Sequence, residues 1–285
     1  MKRFDIVDSQ IHLFLSMNMS ECLTAMEALG IQAAIVDEFW GYNAEQTAPK
    51  PYISLPNGRF RPIAPGAQMA SQRYPDRFRY LLRIDHRDSE LPALIRLTAQ
   101  DPSCVALRVE ARSKEDIAEF EAGNYMAAIE AATEARRPVC VLAPGNSPML
   151  ARYAERVPNC KLVIDHIGLV SNPDGYNDVL SLARFPNIYL KWSHPHRSFE
   201  GEYPFAAAIG GLRRAIDSFG ANRILWASDF TAVRTGHRWS DTLFYIRDSD
   251  ELSNEEKEWI LGRSARALFN WPAPDVLAQP ATIKH

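Results

Sequence analysis

The chain has 285 residues, 46% of them hydrophobic, and a formal net charge of -3. This length suits one large α/β domain over residues 1–285 with a substantial buried core. Acidic and basic residues are interspersed, so no broad basic face is available for nucleic acid or an anionic membrane. The N-terminus lacks a signal-type apolar stretch, and no run approaches the ~20 apolar residues that span a bilayer. These features predict a cytoplasmic protein.

The four cysteines are far apart along the chain, and three lie in or beside hydrophobic runs. This distribution predicts reduced core residues in a reducing compartment rather than a disulfide framework. The residues are Cys22, Cys104, Cys140 and Cys160.

Apolar or β-rich runs alternate with helical patterns from the N-terminus onward. The first run, FDIVDSQIHLF, is followed by the helical segment SECLTAMEALG and then by IQAAIVDEFW, which together make one βαβ unit. Six further strand candidates follow, most of them separated by helical stretches: RFRYLLRID, SCVALRVE, RPVCVLAPG, CKLVIDHIGL, NIYLKWSH and RILWASDF.

Eight strands with a helix after nearly every one favour a closed (β/α)₈ TIM barrel in a single domain. Alternating β and α elements imply parallel pairing with right-handed crossovers, and buried parallel strands appear as continuous apolar runs. A doubly wound open sheet would place a glycine-rich turn after the first strand, and VDSQIHLFLSMN has no glycine there.

Three segments interrupt this alternation at the places where a barrel has its mouth loops. Residues 41–65 are rich in Pro, Asn and Gly and follow the second strand, residues 194–205 follow the seventh, and residues 231–240 follow the eighth. Long loops at this end of a barrel carry function, so we expect the first of them to cover the active site.

Polar side chains occur where three of the predicted strands end. In the first strand Asp8, Gln10 and His12 alternate, so all three should point into the barrel. His166 follows the sixth strand and Asp229 ends the eighth. An inward carboxylate beside histidines suits a general base for a hydrolytic water or a ligand to a divalent ion. A hydrogen-bonded polar plug or a helix cap would be the structural alternative.

Three cations lie within strands, namely Arg83, Arg108 and Lys191. Burial of a cation is costly without an anionic partner, which a carboxylated substrate would supply. An internal ion pair, for example with Glu110 or Asp8, is the alternative.

His194 and His196 form a His-x-His pair beside Pro195 in a predicted loop. We expect His194 to contact substrate or to gate the site rather than to bind a metal. Esterase-type serine chemistry, nucleotide use and structural zinc lack their motifs, because there is no Gly-x-Ser-x-Gly, no phosphate-binding glycine loop and no suitably spaced cysteine pair.

The order of these strand-end residues resembles the amidohydrolase superfamily. VDSQIHLF is similar to the first-strand Asp-x-His-x-His pattern, IDHIGL to the sixth-strand Asp-His-x-Gly segment and ASDF to the eighth-strand Ser-Asp segment. The branch is the amidohydrolase-related one, which contains sugar-lactone and pyrone dicarboxylate lactonase-like hydrolases and metal-dependent decarboxylases. The resemblance implies a (β/α)₈ barrel with Asp229 as general base or metal ligand.

The chain departs from the family pattern at three positions. Gln10 replaces the first histidine of the first-strand pair, and a neutral amide is a poorer transition-metal ligand than imidazole. Ala143 and Pro144 stand where metal-binding members have a fifth-strand histidine, and Arg108 stands where binuclear members carry a lysine carbamate. The resemblance therefore leaves either no metal or one divalent ion, zinc or manganese, held by His12, His166 and Asp229.

The resulting hypothesis is hydrolysis of a lactone of a carboxylated or sugar-acid substrate. Asp229 activates water, while His12 and His166 stabilise the oxyanion and protonate the leaving alkoxide. Two alternatives remain: a mononuclear metal-dependent decarboxylase of an aromatic or unsaturated acid, and a non-catalytic ligand-binding barrel. The expected partner is a small carboxylated molecule, with homo-oligomer formation also open. Substrate contacts are assigned to Gln10, Arg83, Arg108, Lys191 and His194.

Overall fold

A computed structural model describes residues 3–13, 17–38, 52–55, 60–230 and 237–277. The strands are β1 (Ile6–Ile11), β2 (Ile31–Asp37), β3 (Tyr52–Ser54), β4 (Phe60–Pro62), β5 (Phe78–Arg83), β6 (Cys104–Glu110), β7 (Val139–Leu142), β8 (Leu162–Ile164), β9 (Ile188–Trp192) and β10 (Ile224–Trp226). Eight of them are parallel and form one sheet in the order β1-β2-β5-β6-β7-β8-β9-β10, while β3 pairs with β4 in a short antiparallel hairpin. All eight predicted strands are present, which confirms the (β/α)₈ barrel.

The sheet closes where the chain leaves β10 beside β1. The backbone N–H of Asp229 donates to the carbonyl oxygen of Gln10 at 3.0 Å, and the N–H of Ser228 donates to the Asp8 carboxylate at 2.9 Å. Closure brings the carboxyl ends of all eight strands to one mouth.

Helices surround the barrel. The helix α1 begins at a capping box on Asn18 and ends at Gly30, whose φ of 76° is a left-handed conformation that glycine adopts without strain. The helices are α1 (Met19–Leu29), α2 (Pro65–Arg73), α3 (Leu91–Gln100), α4 (Lys114–Ala122), α5 (Met126–Glu134), α6 (Leu150–Arg156), α7 (Pro173–Ser181), α8 (Ala206–Phe219), α9 (Trp239–Arg247), α10 (Asn254–Glu258) and α11 (Ser264–Leu268), the last two joined by a π-helical turn (Trp259–Arg263).

The strands separate two apolar layers. The larger layer lies between the strands and the helices. The smaller one fills the barrel interior with inward side chains such as Val7, Ile35 and Leu225, and it continues into Phe269 and Trp271 at the floor. The interior is therefore packed at the floor and polar at the mouth, which is the arrangement of a barrel with its site at the carboxyl ends of the strands.

An irregularity in β1 changes which of its side chains face inward. Between Asp8 and Ile11 this strand advances three residues while β2 advances two. One extra residue in β1 reverses which of the following side chains point into the barrel. Asp8 consequently accepts a hydrogen bond from the Trp239 indole of α9 at 2.8 Å. The prediction that Asp8 shares a face with Gln10 and His12 is wrong for this reason.

The four cysteines are buried and free, as predicted. No helix among the described residues is long and apolar enough to cross a membrane. The prediction that residues 41–65 cover the site falls largely outside the described residues, as does most of the loop at 231–240.

Candidate active site

The residues predicted at three strand ends meet at the barrel mouth. His12 Nε2 lies 2.7 Å from Asp229 Oδ1, and His166 Nε2 lies 3.8 Å from Asp229 Oδ2. His194, which follows β9, brings its Nε2 to 2.6 Å from Asp229 Oδ2. The side chains of His12 and Asp229 are at most 1% exposed, so these contacts form in a medium of low dielectric constant where charge interactions are strong.

Asp229 is the centre of the cluster. Burial raises the pKa of a carboxyl group, but the contacts with His12, His166 and His194 outweigh burial and hold the pKa of Asp229 well below its usual range. The carboxylate is therefore ionised at neutral pH. Its two oxygens have different partners, since Oδ1 faces His12 and Gln10 and Oδ2 faces His194 and His166.

His12 is positioned to carry a positive charge. Its Nδ1 lies 2.5 Å from the carbonyl oxygen of Asp37 and must donate to it. Burial lowers the pKa of His12, but the adjacent Asp229 carboxylate more than offsets burial, and the pKa is raised above its usual value. The imidazolium form then donates from both ring nitrogens.

His166 is neutral. Burial lowers its pKa well below the usual value, and the nearby Asp229 does not restore it. Its Nε2 faces two donors, Arg108 Nη2 at 3.2 Å and Gln10 Nε2 at 3.5 Å. The hydrogen therefore resides on Nδ1, which donates to Ser193 Oγ at 2.7 Å, and the Nε2 lone pair points into the centre.

Gln10 occupies the position of the missing histidine with a fixed orientation. Lys191 Nζ lies 2.7 Å from Gln10 Oε1. Because an ammonium group only donates, this contact assigns the oxygen to the lysine side and turns the NH₂ group toward the cluster. The Nε2 atom lies 3.4 Å from both Asp229 Oδ1 and Asp37 Oδ2.

The three predicted substrate-binding cations are already paired with carboxylates. Arg83 forms a bidentate pair with Asp37, at 2.7 Å from Nε and 2.6 Å from Nη2, and also contacts Glu110. The other two cations share Asp165: Arg108 Nε lies 2.7 Å from it and Lys191 Nζ 2.6 Å, while Arg108 also contacts Asp37. The structure thus matches the ion-pair alternative, with Asp37 and Asp165 as the main partners and Glu110 as the partner of Arg83.

Sequence reasoning missed three residues of this network. Asp37 ends β2, so the strand-end pattern that predicted Asp229 could also have predicted Asp37. Asp165 precedes His166, yet no partner was assigned to it. Ser193, the residue that orients His166, carries no distinctive sequence signal.

A divalent ion would have three ligands here. The metal-binding atoms of His166, His194 and Asp229 lie within 4.8 Å of one another. Two imidazoles and one carboxylate form a donor set typical of catalytic zinc sites. Gln10 does not fit this role, because Lys191 holds its oxygen away from the cluster. His194, predicted to contact substrate, thus joins the group, while the predicted ligand His12 faces the other oxygen of Asp229.

Comparison with known proteins agrees with this architecture. Residues 67–271 match the sequence model of the amidohydrolase family. The chain is 26% identical over 204 residues to an L-fucono-1,5-lactonase from Burkholderia ambifaria, a match that spans 65% of this chain and 64% of that protein. Less than two thirds of that relative is therefore covered.

Solved structures are similar in fold over 94% of this chain. A candidate 2-pyrone-4,6-dicarboxylic acid hydrolase from Pseudomonas putida has a TM-score of 0.70 at 18% identity, with 98% of that chain covered. An amidohydrolase from Burkholderia multivorans with bound zinc has a TM-score of 0.73 at 15% identity, with 100% covered. A 5-carboxyvanillate decarboxylase from Novosphingobium aromaticivorans, complexed with manganese, has a TM-score of 0.66 at 12% identity, with 96% covered.

Proposed function

The chain belongs to the amidohydrolase family, and from this premise we propose that it hydrolyses a lactone, with Asp229 accepting a proton from the attacking water. One observation carries the proposal. A buried, ionised carboxylate lies between His12, whose pKa is raised, and His166, whose pKa is lowered. Neighbouring groups with pKa values shifted in opposite directions are typical of acid–base sites.

The proton steps follow from these ionisation states. Asp229 takes one proton from water, and the hydroxide adds to the lactone carbonyl carbon. The negative charge then moves from the carboxylate to the carbonyl oxygen, where the His12 imidazolium can stabilise it. When the ring C–O bond breaks, the leaving alkoxide takes a proton from the cluster, and the product is a hydroxy acid. Because His166 Nε2 carries a lone pair, His12 is better suited than His166 to donate.

The paired cations narrow the substrate class. Arg83, Arg108 and Lys191 each contact at least one carboxylate of the protein. A substrate carboxylate would have to compete with those buried partners, which is costly. A neutral polyhydroxylated sugar lactone needs no such competition, and the similarity to an L-fucono-1,5-lactonase supports the same class.

A divalent ion at the group of His166, His194 and Asp229 would assist the same reaction. A divalent ion held by His166, His194 and Asp229 would polarise the lactone carbonyl and lower the pKa of a bound water. His12 would keep its role in proton transfer, because it faces the other oxygen of Asp229.

The test is a panel of sugar 1,4- and 1,5-lactones, with 2-pyrone-4,6-dicarboxylate as the doubly charged comparison, followed by a pH indicator. We expect turnover of a neutral sugar lactone and a loss of kcat/KM of about 10²–10⁴-fold in Asp229→Asn. Asp217→Asn, at an exposed helical position, is the matched control and should keep full activity. Undiminished turnover in Asp229→Asn would refute the assigned base.

Two other functions give different results in the same assay. The His166, His194 and Asp229 group also suits a metal-dependent decarboxylase, for which carbon dioxide release from an aromatic acid would replace lactone opening. A ligand-binding barrel would show thermal stabilisation by a lactone without turnover.

A further inference from the structure

We propose that Glu110 determines which lactones the site accepts, because its carboxylate occupies the position beside two arginines that a substrate carboxylate would otherwise take. Glu110 is the last residue of β6. The inference rests on the proposed lactone hydrolysis and extends it to the class of substrate. One side chain then disfavours carboxylated lactones and leaves neutral sugar lactones as the preferred class.

Two arginines face each other across neighbouring strands. Arg83 of β5 and Arg108 of β6 are register partners, and like charges directly opposite each other on a sheet are destabilising. Carboxylates between the two guanidinium groups offset this repulsion. Asp37 is the first of them, since its Oδ2 lies 2.6 Å from Arg83 Nη2 and also contacts Arg108 Nη1.

Glu110 is the second carboxylate that both arginines approach. Its Oε1 contacts Arg83 Nη1 and lies 4.0 Å from Arg108 Nη1. Side chains two residues apart on a strand share a face, so Glu110 lies on the same inward face as Arg108 and one step nearer the mouth. The main chain is fixed here, because the OH group of Tyr125 donates to the carbonyl oxygen of Glu110 at 2.8 Å.

Solvent reaches Glu110 but not the other carboxylates that pair with these cations. The Glu110 side chain is 27% exposed, whereas the side chains of Asp37 and Asp165 are fully buried. Among the described carboxylates of this network, a ligand that enters the mouth therefore meets Glu110 first. Because a carboxylate only accepts hydrogen bonds, Glu110 suits a substrate that presents hydroxyl groups and opposes one that presents a carboxylate.

Charge balance gives this side chain its effect. Within the described network, three carboxylates contact three cations: Asp37, Asp165 and Glu110 contact Arg83, Arg108 and Lys191. The six groups have no net charge, so they offer no excess positive charge to an anionic substrate. Loss of the Glu110 charge would leave one positive charge in excess beside the mouth, where a substrate carboxylate could pair with Arg83.

The variant Glu110→Gln tests the inference, because glutamine keeps the shape and an oxygen that accepts from Arg83 but lacks the charge. The wild type and the variant are assayed with galactono-1,4-lactone and with galactaro-1,4-lactone, in which a carboxylate replaces the terminal hydroxymethyl group. We expect the ratio of kcat/KM for the carboxylated lactone to that for the neutral one to rise about 10–100-fold in Glu110→Gln, which is the effect of one hydrogen bond to a charged group.

The matched control is Glu27→Gln, which removes the same charge from another glutamate that pairs with an arginine. Glu27 lies 3.5 Å from Arg77, in the last turn of α1, so it is close to the amino end of β2 and away from the mouth. A change caused by net charge alone would appear in this variant too. We expect its ratio of kcat/KM values to equal that of the wild type.

A thermal test requires neither a lactone nor turnover. Glu110→Ala removes the carboxylate and leaves space for acetate, a small analogue of the missing group. Unfolding is measured in sodium acetate and in sodium chloride at the same ionic strength and pH. Relative to chloride, acetate should raise the Tm of Glu110→Ala by at least about 2 °C more than it raises the Tm of the wild type or of Glu27→Ala.

The role of Glu110 and the proposed hydrolysis can fail separately. The inference is overturned if the wild type prefers the carboxylated lactone, if Glu110→Gln keeps the wild-type ratio, or if Glu110→Ala, shown by circular dichroism to be folded, responds to acetate as the wild type does. Turnover of the neutral lactone with an unchanged ratio in Glu110→Gln would support the hydrolase and reject the role of Glu110. An acetate response confined to Glu110→Ala, with no lactone turned over by the wild type, would do the reverse.

Discussion

Lys191 links the acid–base cluster to the ion pairs that surround it. It is fully buried, and its Nζ contacts Asp165 at 2.6 Å and Gln10 Oε1 at 2.7 Å. Burial lowers the pKa of a lysine, but the Asp165 carboxylate outweighs burial and the pKa is raised. One ammonium group therefore both neutralises a buried carboxylate and fixes the amide that faces Asp229.

Replacement of Lys191 by methionine should destabilise the protein by about 3–5 kcal/mol, because it removes one partner of a buried ion pair. Lys161→Met removes the same charge from an exposed position and should change the free energy of unfolding by less than about 0.5 kcal/mol. Urea unfolding of both variants measures the difference. Equal effects would show that the buried ammonium contributes nothing.

Asp8 predicts a pH dependence of stability. Burial raises its pKa from 3.8 to about 6, despite hydrogen bonds from Ser228, Gln10 and Trp239. Between these two values the folded state holds a proton that the unfolded state has lost, so stability falls as pH rises through this window, by about 3 kcal/mol in all.

The wild type and Asp8→Asn should be unfolded with urea at pH 4 and pH 7. As pH rises from 4 to 7, the unfolding free energy of the wild type should fall relative to that of Asp8→Asn, since only the wild type carries the ionising group. A difference independent of pH would mean that the pKa of Asp8 is not raised.

At the scale of elements, two glycines in helical segments differ in the space around them. In α8, a Cβ on Gly210 would meet nothing within 4 Å. In the π-helical turn, a Cβ on Gly262 would lie 1.8 Å from the carbonyl oxygen of Asp5. That turn packs directly on the chain that leads into β1, and only a residue without a side chain permits the approach.

Gly262→Ala should therefore destabilise the protein by about 3 kcal/mol or more, because a backbone atom must move. Gly210→Ala is exposed and helical, and should stabilise by up to about 1 kcal/mol through helix propensity. Thermal unfolding followed by circular dichroism compares the two. Equal effects in the same direction would contradict the packing argument.

At the scale of the molecule, the residues that follow α11 close the barrel floor. Trp271 is 5% exposed and lies in the interior apolar cluster with Ala265 and Phe269. The guanidinium carbon atoms of Arg266 and Arg79 lie 4.7 Å and 5.1 Å from the centre of its ring. The segment 271–277, which contains two prolines, is thus packed against the barrel at its first residue.

Trp271→Ala should cost about 3–5 kcal/mol because it leaves a cavity at the floor. For a chain of this length such a loss lowers the Tm by roughly 5–8 °C. Val276→Ala, on the same tail but 82% exposed, is the control and should leave Tm unchanged. A Tm unaffected in the tryptophan variant would show that the floor is closed without it.

The amino-acid sequence by itself determined the eight strands, the barrel and the strand-end positions of His12, His166 and Asp229. These features depend on local patterns, namely apolar runs that alternate with helical periodicity and polar residues where those runs stop. The family resemblance rested on the same short motifs.

Only the tertiary structure decided how these groups are used. The extra residue in β1 turned Asp8 away from the centre, and carboxylates distant in sequence paired with the cations expected to bind substrate. His194 reached Asp229 although 35 residues separate them. Partners of this kind depend on strand register and loop conformation, and register results from the packing of the whole barrel rather than from any local pattern.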